Sequence, residues 1–183
     1  MHTAHELFLH ELADILDAER KLVDALGEQA EQAGDSQLQK AFSTHQAQTE
    51  KQVQRLEQVF DGLGEQPQET ECKGLKGLLE ELNTFKQQQE PSEDILDVFS
   101  IGAASKVESY EICAYEALIQ LAQDMGHTKA VKLLQQNLKE EEQTLKKMQG
   151  LAKKIKPEQS GMETEEEEEA RPAPARRRPR RAA

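Results

Sequence analysis

The sequence predicts an all-α protein, four long amphipathic helices in a bundle with a short crossover helix between the second and the third. Three observations predict it. Apolar residues recur at three- and four-residue spacing through four long stretches. All six Pro lie at position 67 or later, which leaves the amino-terminal stretch free of helix breakers. The 183 residues contain no Trp, 4% aromatic and 32% charged residues, a composition that argues against a sandwich or barrel with an aromatic-rich core.

The first helix is expected from about Thr3 to Ala33, opened by a Thr3 to Glu6 capping box and closed by Gly34, with Phe8, Leu12, Ile15, Glu19, Leu22 and Leu26 inward. The second is expected from about Ser36, with Gln39 completing a capping box, to Gly62. Its inward stripe reads Leu38, Phe42, His45, Thr49, Gln52, Leu56 and Val59. A connection rich in Gly and Pro follows, then a short amphipathic segment through Leu75, Leu78, Leu79, Leu82 and Phe85. This is too long for a tight hairpin and suits a crossover along the bundle. The third long helix is expected from near Ser92 to Gly126, with Ile101, Ala104, Glu108, Glu111, Tyr115, Leu118, Ala122 and Met125 inward. The fourth runs from Thr128 to near Ile155, with Val131, Leu134, Leu138, Glu141, Leu145, Met148 and Ala152 inward. A faint repeat at an offset of 92 residues places Gly34 and Ser36 on Gly126 and Thr128, and Glu19 on Glu111.

Residues 1–156 are read as this bundle and 157–183 as a Glu-, Arg- and Pro-rich low-complexity tail, expected to be disordered. The formal net charge is -12. Seven Glu against six Arg leave the tail at -1 and the body at -11. So acidic a body disfavours binding to nucleic acid or to an anionic membrane. In the tail, Arg178-Pro179-Arg180-Arg181 suits phosphate contacts, but the Glu165 to Glu169 run can pair with it first. Cys72 and Cys113 form no CxxC, which suits reduced thiols and a cytoplasmic location. Glu6, Glu11, Asp14, Asp17 and Glu19 interrupt the first 25 residues, which are read as neither a signal-peptide core nor a membrane span. His2, His5 and His10 lie near the start of the first helix, where solvent-facing or capping roles are expected.

The chemistry lies in the polar interruptions of the apolar stripes. Glu19, Thr49, Glu108 and Glu141 sit at or beside the midpoints of the four long helices, and the midpoints of antiparallel helices of similar length share one layer. His45 lies one turn from Thr49, and Glu111 one turn from Glu108. A lone Glu in such a stripe is ordinarily a boundary residue whose head reaches water. Four buried carboxylates in one layer require neutralisation, and the inward stripes hold no Lys or Arg. Protonation or cations remain. Carboxylate bundles use two metal ions bridged by Glu, with His as a terminal ligand. Glu108 and Glu111 form Glu-x-x-Glu rather than the Glu-x-x-His of the commonest di-iron bundles.

The chain resembles the YciF-type branch of ferritin-like proteins over about residues 5 to 155. The resemblance rests on Asp17-Ala18-Glu19, Ala41-Phe42, His45, Thr49, Gln52-Val53 and Arg55-Leu56-Glu57 in the first two helices. It continues with Cys72, Gly77-Leu78, Val107-Glu108, Tyr110-Glu111-Ile112, Leu138 and Glu140-Glu141. It implies a four-helix bundle with a crossover helix, kinship with ferritins and rubrerythrins, a homodimer, and a link to bacterial stress responses. The chain departs from the family pattern at three positions: Gln48 stands for a Glu, Ser109 for a His and Leu145 for an Asp.

Two functional readings follow, and neither assigns a catalytic residue. In the first, Glu19, His45, Glu108, Glu111 and Glu141 bind iron or manganese as a dinuclear site that works with dioxygen or peroxide. Glu111 and Glu19 bridge, the other three are terminal, and Tyr110 or Tyr115 is a nearby hydrogen-bond donor. In the second, motivated by Gln48 and Leu145, the metal site has decayed and the chain is a non-catalytic, stress-associated dimeric bundle. Neither reading identifies a small-molecule substrate.

Overall fold

Helix starts and stops follow from local hydrogen bonding at each end. The computed structural model describes residues 2–157, and among them the chain forms five helices and no strand: α1 (Ala4–Gln32), α2 (Ser36–Leu63), α3 (Lys73–Gln89), α4 (Glu93–Asp124) and α5 (Thr128–Ala152). Thr3 and Glu6 close the expected capping box on α1. The cap of α2 differs from expectation. Asp35, not Ser36, stands at the N-cap, its carboxylate accepting from the amides of Gln37 and Leu38. Ser36 is already helical, and the Gln39 side chain donates instead to the Ala33 carbonyl at 2.7 Å. At its far end α2 runs past Gly62, because Leu63 packs on the core, and stops where Gly64 turns left-handed at φ 74°. Gly126, at φ 73°, reverses the chain between α4 and α5. The N-cap of α5 is His127 rather than Thr128 and supplies no side-chain bond.

α1 packs against α2 and α4, and α5 against α4 and α2. The four long helices thus form a square with α2 diagonal to α4. The crossover helix α3 lies on α4 with a smaller contact to α1, burying only Leu75 and Leu82. Its start is fixed by the Cys72 amide, which donates to Asp17 at 2.7 Å. Two residues on, Gly74 gives Tyr110 room, since a Cβ there would lie 2.6 Å from the ring. At one end of the bundle the buried Asp97 of α4 accepts from the amides of Gly34 and Asp35 at 3.0 and 2.7 Å, tying the α1–α2 turn to the second hairpin.

The inward stripes of α1 and α2 are buried as expected, and so is that of α4 apart from the half-buried Met125. In α5 the stripe is rotated. Ala130, Leu134, Asn137, Glu141, Thr144, Met148 and Leu151 are buried, while Val131, Leu138 and Leu145 are half-buried and Ala152 is exposed. Two polar side chains, Asn137 and Thr144, turn inward where leucines were expected, and Asn137 does so because it meets polar partners on neighbouring helices. Thr144 bonds the Glu140 carbonyl, and Asn137 bonds Tyr115 and Arg55. Among the described residues no helix is long and apolar enough to cross a membrane. The expected tail lies outside the described residues except for Pro157, and the Arg178 to Arg181 segment lies wholly outside.

Candidate metal centre

Half-way along the bundle each long helix delivers a polar side chain to the core: Glu19 from α1, His45 and Thr49 from α2, Glu108 and Glu111 from α4, Glu141 from α5. All are at most 2% exposed. Helical periodicity brings this about, since 45 and 49, like 108 and 111, fall one turn apart on one face.

Four of the five expected ligands converge. One ligand atom from each of His45, Glu108, Glu111 and Glu141 lies within 4.8 Å of all the others. His45 Nε2 stands 3.0 Å from Glu108 Oε1 and 3.9 Å from Glu141 Oε2, without hydrogen-bond alignment to either. Glu19 is buried in the same layer but stands outside this group, and its Oε1 instead accepts a hydrogen bond from the Tyr115 hydroxyl. Across the core the Gln52 amide donates to Glu141 Oε1.

Electrostatics match this geometry. Burial pushes the carboxyls of Glu19, Glu111 and Glu141 well above the ordinary carboxylate range, and the neighbouring carboxylates push them further. Burial lifts Glu108 to about 8. Burial also lowers the His45 imidazole, which favours its neutral, ligating form.

Several buried atoms have no hydrogen-bond partner: both oxygens of Glu111, Glu108 Oε2, Glu141 Oε2, Glu19 Oε2 and both ring nitrogens of His45. Buried polar groups are ordinarily paired, so such a concentration calls for a missing partner. Around a first-row ion held at about 2.0 to 2.2 Å, donor atoms stand roughly 3 to 4.4 Å apart, so a small inward movement of the four side chains would close on one ion. Carboxylate and imidazole donors suit manganese, iron or zinc and exclude a soft, thiolate-preferring ion.

Around this group lies a polar layer that the sequence shows only in part. Asn137 donates to the Tyr115 hydroxyl at 2.9 Å. Its amide oxygen accepts from Arg55 at 2.8 Å, and Arg55 grips Glu140 with two bonds of 2.7 and 2.8 Å. Tyr115 and Gln52 sat in the expected stripes. Asn137 is hidden in the sequence because Leu138 satisfies the same spacing. At the three positions where the chain departs from the expected pattern, Gln48 and Leu145 are half-buried, and Ser109 is exposed and bonded to the Ser105 carbonyl. Tyr110 lies on another face of α4, its hydroxyl 3.1 Å from Cys72 Sγ and bonded to Asp14 at 3.2 Å. His5 and His10 lie beside Glu65 and Glu11 on the surface.

Residues 3–160 match the family described as Domain of unknown function (DUF892). The chain is 37% identical to Protein YciF of Escherichia coli (strain K12) over 153 residues, which span 83% of this chain and 92% of that one. The fold is similar to the crystal structure of the E. coli stress protein YciF, with a TM-score of 0.81 and 35% identity over 85% of this chain and 98% of that one. It is also similar to YcfI from Rhodopseudomonas palustris, with a TM-score of 0.78 and 35% identity over 81% and 94%.

Proposed function

The chain belongs to the YciF-type family described as Domain of unknown function (DUF892), and from that premise we propose that it is a stress-associated, ferritin-like protein that binds iron or manganese in its core. The observation that carries this reading is the set of partnerless ligand atoms at one depth, three carboxylates and one imidazole with no Lys or Arg among them.

His45, Glu108, Glu111 and Glu141 would hold the ion, and an ion of this kind supplies one-electron chemistry. The side chains do the rest. Gln52 orients Glu141 by bonding one of its oxygens and leaving the other free. Burial keeps bulk water from the group and keeps His45 neutral. The Tyr115 hydroxyl holds its proton on the Glu19 side of the layer. A homodimer in the cytoplasm, without nucleic-acid or membrane partners, completes the proposal.

A second reading, a non-catalytic bundle without metal, draws on the elevated carboxyls, because a protonated Glu108 needs no counter-ion. Elemental analysis after expression with added iron or manganese decides between the two. About one ion per chain, lost in Glu111→Ala, supports the metal reading. Less than half an ion, unchanged by Glu111→Ala, supports the metal-free one.

A further inference from the structure

The acidic body carries a basic stretch at its end: residues 146–156 hold Lys146, Lys147, Lys153, Lys154 and Lys156 and no Asp or Glu. Two of these lysines meet Lys40 of α2 around a groove of about 420 Å3 between α2 and α5, lined by Gln37, Lys40, Lys147, Gly150, Leu151 and Lys154. Gly150 keeps the groove open, with nothing within 4 Å of where a Cβ would stand. Lys21, Lys76 and Lys106 each pair with a carboxylate, whereas among the described residues the three groove lysines have no such partner. Partial burial and the charge of Lys40 hold the Lys147 amine below its ordinary value.

The chain that leaves α5 beside this groove runs on from Pro157 to Glu163 and then to five successive Glu, 165 to 169. Extended, residues 158–165 span up to about 28 Å, while Lys147 lies about 10 Å along α5 from Lys154, so the run reaches every lysine of the groove. A segment tethered this closely acts at an effective concentration on the order of millimolar. The Arg176 to Arg181 block competes for the same run. Pairing there fixes two stretches of chain, whereas α2 and α5 already hold the groove lysines in place.

We propose that the Glu163 to Glu169 run docks in the lysine groove between α2 and α5, and that by doing so it keeps phosphate polymers off the basic face of an otherwise acidic body. The contact is electrostatic, is screened by salt, and does not depend on the metal reading.

Two experiments on the full-length protein test it. The first treats a mixture of isotope-labelled and unlabelled chains with a water-soluble carbodiimide, which joins a carboxylate to an amine in contact. Mass spectrometry is expected to find links from Lys40, Lys147 or Lys154 to the run within single chains, at least about fivefold fewer in about 0.5 M salt than in about 0.02 M. Links that join labelled to unlabelled chains make a second copy the occupant and overturn the proposal, as does the absence of links to the run. The second measures binding of a single-stranded oligonucleotide of about 20 nucleotides in about 0.05 M salt. Changing Glu165, Glu166, Glu167, Glu168 and Glu169 together to Gln is expected to tighten binding at least about tenfold over the wild type. Adding Lys40→Gln, Lys147→Gln and Lys154→Gln is expected to remove the gain, while Lys73→Gln, Lys129→Gln and Lys132→Gln, the same charge taken elsewhere, leave most of it. A wild type that binds as tightly as the Glu variant overturns the proposal. A gain that survives the groove substitutions shows that the run covers the Arg block instead and overturns it too, and so does an equal loss from both lysine sets.

Discussion

His45 and Glu108 face each other across the centre of the bundle, Nε2 to Oε1 at 3.0 Å, from the diagonally opposed helices α2 and α4. Neither is aligned to bond the other, and each has another buried atom without a partner. A cation between such groups meets an acceptor from either side.

The first prediction concerns that cation and stability. A ligand at about 100 times its dissociation constant adds about 2.7 kcal/mol to the folded state. For a chain of this size that raises the melting temperature by roughly 5 to 10 °C. Calorimetry with iron or manganese and then with a chelator is expected to show this rise and its reversal. His45→Ala is expected to abolish the increment, and an undiminished one would remove His45 from the site.

The second concerns pH. In the metal-free protein burial holds protons on Glu19, Glu111 and Glu141, and on Glu108 up to about 8, while the unfolded chain loses all of them near pH 4.3. The folded state therefore binds more protons between about pH 6.5 and 8. Stability should fall through this window by about 1.4 kcal/mol per pH unit for each proton retained. His45 is neutral in both states here, since burial lowers it, and it subtracts stability only as pH falls below about 6.5. Urea unfolding at several pH values measures the slope, and a flat or rising profile contradicts it. Metal affinity should run the other way and tighten with pH, because binding displaces these protons.

The third concerns the seat of α3. Gly74→Ala places a methyl group 2.6 to 2.8 Å from three atoms of Tyr110, whose hydroxyl meets Cys72 and Asp14. Overpacking of this kind is expected to lower stability by about 1 to 3 kcal/mol. Gly77→Ala, with nothing within 4 Å, is the control and should stabilise the helix by up to about 1 kcal/mol. Urea midpoints of both variants check the contrast.

The fourth tests the cap of α2. Asp35→Ala removes the acceptor of two helix amides and is expected to lower stability by about 1 kcal/mol, whereas Ser36→Ala should change it by less than about 0.5 kcal/mol. Equal effects from the two would restore the cap to Ser36.

Periodicity made the bundle legible, because each long helix buries one stripe and its punctuation lies close by. Four of the five expected ligands could be placed together because the midpoints of antiparallel helices coincide in depth. Depth is one coordinate, and the other is the angle about the helix axis. On α5, spacings of three and four admit both the Leu138 and Leu145 register and the Asn137 and Thr144 register. Only the partners on neighbouring helices decide, here Tyr115 and Arg55. Glu19 shows the same limit. Its depth was readable, but the hydroxyl that bonds it sits 96 residues away in the sequence. Ser36 and Thr128 were plausible caps by type, and the residue immediately before each occupies the position.

The Asp97 contact has a consequence for how the molecule could be divided. It joins the two hairpins without using the connector, and they contribute unequally to the centre: His45 comes from the first, Glu108, Glu111 and Glu141 from the second. Cutting the backbone between residues 65 and 71, outside every helix, would yield two fragments with complementary faces and incomplete ligand sets. Metal would then act as the glue of a split protein, strengthening reassembly by as much as it favours the joined site over either fragment.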